Sequence, residues 1–292
     1  MDDTEKAFPR AHESRGLLLW AYVGNEIGDL LRGLTKLSSD EIKKAVLDWE
    51  SAANYKRLLP NLTPYAGPIR SPEGPAKAYC DEFRKLPFFE NLAKQIPTAE
   101  FAYIPADSIV SALVLIDFDY VAELDKQLEG QDSLSIVKFA FPESVAAQAK
   151  IAVDTAGMTV TIQSSQKTMV VADMRVGEIP GVGVEIRYMV TNLAAVILVS
   201  EVEGRFYLRS GIHRAFLLTK LAQREIPCIL VRESRVPVLA GPYPAFTLNV
   251  LVQPRPPLLA DFLDNRLALE VPLSRMSKII RISASDFLVP SD

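Results

Sequence analysis

A chain of 292 residues with 49% hydrophobic content can bury a sizeable core, and it predicts a globular protein of one large domain or two ordinary ones. The formal net charge of −4 excludes a general attraction to polyanions, so binding to DNA would need a local basic face. Two distant cysteines, Cys80 and Cys228, form neither a disulfide framework nor a zinc motif. The charged N-terminus and the short apolar run after it match neither an export signal nor a membrane span. We therefore expect a cytoplasmic protein with no membrane partner.

The N-terminal region, residues 1–96, is predicted to be helical. Apolar residues recur at intervals of three and four from 16 to 37, which is typical of one amphipathic helix. A second helix is predicted to begin after Ser38, because Glu41 three residues later completes a capping box. Five prolines between 60 and 75 are too dense for regular structure, so a loop is expected there.

The next region, residues 97–235, is predicted to mix strands and helices. Asp117 or Asp119 is expected to cap a helix over 120–128. Strand-like runs occur at 100–104, 112–116, 134–141, 158–162, 169–174, 182–190, 194–202 and 226–231. Residues 236–292 follow as a C-terminal extension with a proline-rich segment. The whole chain is therefore expected to have an α+β (mixed α/β) fold, with the helical N-terminal region packed on a mixed-sheet domain.

The segment RFYLRSGIHRAFLLTKLAQREIPCIL, residues 205–230, carries the strongest functional signal. Residues 205–209 alternate like a strand and 214–223 have helical spacing, so a strand-to-helix turn is predicted between them. Gly211 would allow close backbone approach to a ligand, and the free N–H groups of a helix N-terminus favour an anion. His213 adds a titratable donor and Arg214 adds a forked cation.

These residue types suit phosphate oxygens, and Ser210 adds a hydroxyl beside them. Residues 201–235 contain seven Arg or Lys and four Glu, a local balance of +3 in an acidic protein. The candidate phosphate-binding or nucleotide-binding residues are therefore Ser210, Gly211, His213 and Arg214. The alternative, that His213 caps the helix or bonds to a neighbouring carbonyl, stays open on local chemistry alone.

The run VSEVEGRFYLRSGIHRAFLLTKLAQREIPCILV resembles the core of the ParB/sulfiredoxin superfamily. AEFAYIPADSIV and DFDYVAELDKQLE resemble the entry strand and first helix of that superfamily, so the resemblance covers roughly 97–235 with extra β-like sequence inside it. It implies a ParB-like domain whose turn at Gly211 to Arg214 holds nucleotide phosphates, CTP in the partition proteins and ATP in sulfiredoxins and free-serine kinases. Sulfiredoxins have their reactive cysteine where this chain has Ile212, and no helix-turn-helix region like that of the partition proteins follows here.

The leading hypothesis is a phosphate-binding or nucleotide-binding protein whose ligand is a nucleoside triphosphate, CTP or ATP, with Mg²⁺. Asp117, Asp119, Glu123 and Asp125 could bind the magnesium, but a helix cap and a solvated face explain them as well. Enzymatic turnover, as a nucleotide-dependent hydrolase or phosphotransferase, stays open. The alternatives are a DNA-associated regulatory protein with a nucleotide-gated switch, and a protein-interaction module with a degenerate site. Self-association is compatible with each of them.

Overall fold

The computed structural model describes residues 14–24, 26–143, 150–156, 158–164, 169–179, 183–192, 196–237, 245–273 and 278–283. The chain divides into two compact units, the first comprising residues 1–143 and 195–275, the second residues 144–194 and 276–292. Helices and strands both contribute strongly, so the predicted mixed α+β class is confirmed. The predicted divisions after residues 96 and 235 stay a prediction. Across the described ranges, no helix has the length and apolar character needed to cross a membrane.

The elements are numbered in chain order over the described residues. The strands are β1 (Ser14–Leu18), β2 (Glu100–Pro105), β3 (Ile109–Ser111), β4 (Leu115–Asp117), β5 (Lys150–Asp154), β6 (Thr159–Ser164), β7 (Met169–Ile179), β8 (Gly183–Asn192), β9 (Leu198–Val202), β10 (Arg205–Ser210), β11 (Glu225–Arg232), β12 (Leu269–Leu273) and β13 (Lys278–Ser283). The α-helices are α1 (Ile27–Leu34), α2 (Ser39–Arg57), α3 (Gly74–Phe83), α4 (Pro87–Gln95), α5 (Phe118–Asp125), α6 (Ser133–Ala140), α7 (Ile212–Lys220) and α8 (Leu248–Leu251).

The first unit is built around a five-stranded mixed sheet in the order β2-β11-β9-β10-β3. Strand β11 is antiparallel to β2 and parallel to β9, while β10 is antiparallel to β9 and parallel to β3. All residues of β11 from Ile226 to Val231 are buried. A continuous apolar run of this kind is typical of a strand that is covered on both faces. Helices α6 and α7 both contact β11, and α7 directly follows β10 of the same sheet.

A second sheet in the same unit joins distant parts of the chain in the order β12-β1-β4. The single long helix predicted over 16–37 is therefore wrong: this stretch begins as β1, continues as a 3₁₀ turn at Trp20–Tyr22, and is α-helical only in α1. Gly16 fits β1 because a Cβ there would lie 2.6 Å from the carbonyl oxygen of Ile116 on β4. Pairing with both neighbours outweighs the local helical periodicity.

The second predicted helix is confirmed as α2. The Ser38 hydroxyl accepts from the Glu41 backbone N–H, and the Glu41 carboxylate accepts from the Ser38 backbone N–H at 2.8 Å. The indole N–H of Trp49 donates to the carbonyls of Trp20 and Val23, which ties α2 to the 3₁₀ turn. The predicted proline-rich loop is also confirmed up to α3, which begins at Gly74.

The strand predicted over 134–141 is wrong, because these residues form α6. The Asp132 carboxylate accepts from the backbone N–H groups of Leu134 and Ser135, which fixes the helix start. Phe141 directly follows the last turn and is fully buried. An apolar run of this length fits either a buried strand or a buried helix, and the capping residue Asp132 is the feature that identifies it as a helix.

The second unit, described by itself, contains β-structure from two separate chain segments. Its three-stranded antiparallel sheet has the order β13-β6-β5, and β7 pairs with β8 as a two-stranded ribbon. The strands predicted within 158–190 are confirmed as β6, β7 and β8, whereas β5 and β13 were missed. One face of the sheet is aliphatic, because Ile162 lies opposite Ile151 and Ile280 in the register. The extra β-like sequence therefore folds chiefly with itself and with the C-terminal segment.

Candidate functional site

The predicted strand-to-helix turn is confirmed between β10 and α7. Gly211 is the N-cap of α7 and has a left-handed backbone with φ 78° and ψ 24°. A Cβ at this position would lie 2.7 Å from the carbonyl oxygen of Val196 and 2.9 Å from the Cα of Ile197. Glycine is therefore needed both for the dihedral angle and for the close approach of the chain just before β9.

His213 lies in the first turn of α7 and is 6% exposed. Its Nε2 atom accepts a hydrogen bond of 3.0 Å from the backbone N–H of Asp117, the N-cap residue of α5. The Tyr120 ring meets the imidazole edge to face, with the ring centroids 5.0 Å apart. Because Nε2 is an acceptor here, it cannot donate to a phosphate at the same time. His213 thus links the starts of α5 and α7. Its hydrogen-bond partner is a backbone N–H group, whereas one of the alternatives left open by the sequence was a bond to a neighbouring carbonyl.

Arg214 is 2% exposed, and its guanidinium has few polar partners. Nη1 donates to the Phe139 carbonyl at 2.8 Å, and Nη2 donates to the Gln127 side-chain oxygen at 3.4 Å. The Phe139 ring also lies beneath the guanidinium, with 4.8 Å from Cζ to the ring centroid. The buried Nε has no hydrogen-bond partner among the described residues. No carboxylate of those residues forms an ion pair with the guanidinium either.

Burial lowers the pKa of the Arg214 guanidinium from its ordinary value, because the charged form loses its hydration. The guanidinium nevertheless stays cationic at neutral pH. A buried cation without a counter-charge is unfavourable unless other groups or an anion stabilise it. This electrostatic imbalance is the main chemical feature of the turn.

Arg214 also has a structural role at the end of α6. The Phe139 carbonyl belongs to the last turn of that helix, where carbonyls lack intrahelical partners and the helix dipole favours a cation. The two following carbonyls are satisfied separately, Ala140 by the Ile197 N–H and Phe141 by the Tyr79 hydroxyl. Arg214 therefore stabilises the C-terminus of α6 with one of its five N–H donors.

The remaining predicted features around the turn are only partly realised. Ser210 is half-buried, and its hydroxyl forms no hydrogen bond with the residues described here. Arg209 contributed to the local basic excess, but its guanidinium pairs with Glu233 at 3.1 Å. The Asp117 carboxylate accepts from the N–H groups of Asp119 and Tyr120, so the predicted cap of α5 is confirmed. Within the described ranges, no group of three or more His, Cys, Asp or Glu could hold a metal ion.

Three neighbours of Arg214 and His213 were missed by the sequence reasoning: Tyr120, Gln127 and Phe139. Burial raises the pKa of the Tyr120 phenol, while nearby Arg214 opposes that rise. Tyr120 and Gln127 both belong to the DFDYVAELDKQLE block, at the start of α5 and just after its end. No local pattern in the sequence indicates their approach to α7.

An open cleft of about 500 Å³ lies elsewhere in the first unit. Arg70, Tyr103 and Glu225 line it, and the Arg70 guanidinium pairs with the Glu225 carboxylate and lies 5.3 Å from the Tyr103 ring centroid. Arg224 is an exposed cation on the same wall. None of the four residues predicted from the β10–α7 turn lines this cleft, so it is separate from the candidate site.

Comparison of the chain with protein-family models, with curated proteins and with solved structures gives no match. The resemblance to the ParB/sulfiredoxin superfamily stays a prediction.

Proposed function

We propose that the first unit binds a phosphate-bearing ligand, in the leading case a nucleoside triphosphate, at the turn from β10 to α7. The observation that carries this proposal is the burial of the Arg214 guanidinium without a carboxylate partner among the described residues and with an unpartnered Nε. Phosphate oxygens are the natural complement of a guanidinium, because they accept two parallel N–H bonds and neutralise its charge. A bound phosphate would therefore supply the counter-charge that the described residues do not.

The backbone of the turn supports the same ligand class. Gly211 brings the chain close to Val196 without a side chain in between, and α7 follows with its first N–H groups lacking intrahelical partners. The positive end of the helix dipole lies at the same place. The half-buried hydroxyl of Ser210 adds a further donor. In this proposal Arg214 contacts phosphate, while His213 is a positioning residue that holds α5 against the site.

The test is thermal unfolding of the wild type and of Arg214→Met with CTP, ATP, GTP and the corresponding diphosphates, each with and without Mg²⁺. A ligand at about 100 times its dissociation constant adds about 2.7 kcal/mol to the native state, which corresponds to an increase of about 5–10 °C in Tm. Methionine keeps most of the volume of the side chain and removes the charge. Far-UV circular dichroism of the variant checks that it folds.

The matched control is Arg224→Met, which removes an exposed arginine outside the turn. We expect one nucleotide to raise the Tm of the wild type and of Arg224→Met, and to leave that of Arg214→Met unchanged. Nucleotide stabilisation that persists in a folded Arg214→Met variant would refute the site. A wild type that responds to none of the nucleotides would favour the interaction module, in which Arg214 only stabilises α6. Turnover assays follow for the nucleotide that binds.

A further inference from the structure

Gln127 is an exposed residue whose side chain reaches the buried guanidinium of Arg214. It follows the C-terminus of α5, and its side chain is exposed although its partner is buried. The oxygen of its amide accepts from Nη2 of Arg214 at 3.4 Å, close to the upper limit for a hydrogen bond. The Phe139 carbonyl, by contrast, accepts from Nη1 at 2.8 Å and belongs to a helix. Of these two acceptors, Gln127 is the one that an incoming ligand can displace.

The amide of Gln127 also has the chemistry of a weak substitute for an anion. It offers a neutral carbonyl oxygen to a donor that would bond about twice as strongly to an ionised oxygen. Replacing it requires only rotation of an exposed side chain, whereas replacing the Phe139 carbonyl would disturb the end of α6. The exchange of Gln127 for a phosphate oxygen would therefore gain a charge-assisted bond at little structural cost.

We infer that Gln127 is a displaceable acceptor that occupies Arg214 in the unliganded protein and determines how strongly an anionic ligand binds there. This inference rests on the proposed phosphate site. It predicts opposite effects for two substitutions at one position. Alanine removes the competing acceptor, and glutamate supplies a carboxylate of the chain's own that competes with phosphate for the guanidinium.

The experiment is calorimetric titration of inorganic triphosphate, ATP and CTP into the wild type, Gln127→Ala and Gln127→Glu, combined with the Tm of each unliganded protein. We expect Gln127→Ala to bind about two- to tenfold more tightly, the range that corresponds to one net hydrogen bond. Gln127→Glu should bind at least about tenfold more weakly. Its unliganded Tm should also rise by about 2–4 °C, because the carboxylate neutralises a buried cation.

Gln131→Glu is the matched control. It makes the same change of charge at an exposed glutamine four positions along, which forms no bond to Arg214 among the described contacts. We expect this variant to bind the three probes like the wild type. The comparison separates a local effect on the guanidinium from general repulsion between the protein and the phosphate.

The outcomes distinguish the two claims. If the wild type binds a probe through Arg214 but both Gln127 variants bind like the wild type, the role of Gln127 is refuted and the phosphate site stands. If Gln131→Glu weakens binding as much as Gln127→Glu does, the effect is general repulsion and the role of Gln127 is again refuted. If the wild type binds none of the three probes, both claims are refuted.

Discussion

Alanine at Gly211 is predicted to destabilise the first unit by two separable effects. A left-handed backbone costs an L-residue about 1–2 kcal/mol relative to glycine. The new Cβ would also lie 2.7 Å from the Val196 oxygen and 2.9 Å from the Ile197 Cα, both of them backbone atoms that cannot rotate away. Overlap of this kind costs a further 1–3 kcal/mol or so. The expected loss is about 2–5 kcal/mol, or about 4–20 °C in Tm for a domain of this size.

The assay is thermal unfolding, with two other glycines as matched controls. Gly74 has a φ of 55°, but no atom lies within 4 Å of the position that a Cβ would take, so Gly74→Ala should show the backbone cost alone. Gly33 lies in α1, where it has no positive φ and no atom within 4 Å of the position that a Cβ would take. Gly33→Ala should therefore raise the stability by about 0.5–1 kcal/mol. Equal losses for Gly211→Ala and Gly74→Ala would refute the argument that contact with Val196 and Ile197 requires glycine at the turn.

Three further outcomes are expected. Ser38→Ala removes the capping box of α2 and should lower the stability by about 1 kcal/mol, seen as a lower Tm; an unchanged Tm would contradict the role of the cap. Burial raises the pKa of Cys80 to about 12 and raises that of Cys228 further, so both thiols should react with a disulfide reagent at pH 8 far more slowly in the native than in the unfolded protein; fast native reaction would show that they are accessible. Hydrogen bonds from Arg266 lower the pKa of Asp264, so their stabilisation is present above the ordinary carboxyl pKa of about 4 and is lost as the pH falls through the lowered value. The Tm advantage of the wild type over Arg266→Met should accordingly shrink in acid, and a constant difference down to about pH 2 would exclude this linkage.

The features that the sequence predicted correctly are those in which the deciding residues are close together. The capping box of Ser38 and Glu41 spans only four residues at the start of α2, and Asp117 directly precedes α5. The turn at Gly211 is equally local, since a glycine between an alternating run and a helical run allows few conformations. Each of these signals reports a hydrogen bond or a dihedral angle that the neighbouring residues fix by themselves.

The two wrong elements were decided by distant residues or by an ambiguous period. Residues 14–18 pair with residues 269–273 and 115–117, and nothing in the apolar spacing of the N-terminus indicates either partner. The run at 134–141 is apolar enough for a strand or for a helix, and the Asp132 cap was the informative residue. Tertiary pairing and buried helices are the two situations in which periodicity predicts poorly.

The candidate site likewise has a part that neighbouring residues determine and a part that distant residues determine. The sequence predicted Ser210, Gly211, His213 and Arg214 as one turn, and the structure places them there. It could not predict that Arg214 is buried, because its partners Phe139 and Gln127 lie 75 and 87 positions away along the chain. The absence of a carboxylate partner among the described residues is likewise a property of the assembled unit, and it is the property on which the proposed function depends.

The sheet β12-β1-β4 has a consequence for synthesis of the chain. Strand β1 precedes its partner β12 by 255 residues, as the paired side chains of Arg15 and Glu270 show. At about 5–20 residues per second, β1 waits roughly 13–50 s for that neighbour. During this interval the edge of β1 that later pairs with β12 has unpaired backbone N–H and C=O groups, and such an edge is a target for chaperones and for aggregation. The sheet β12-β1-β4 is therefore completed only after translation has passed residue 273.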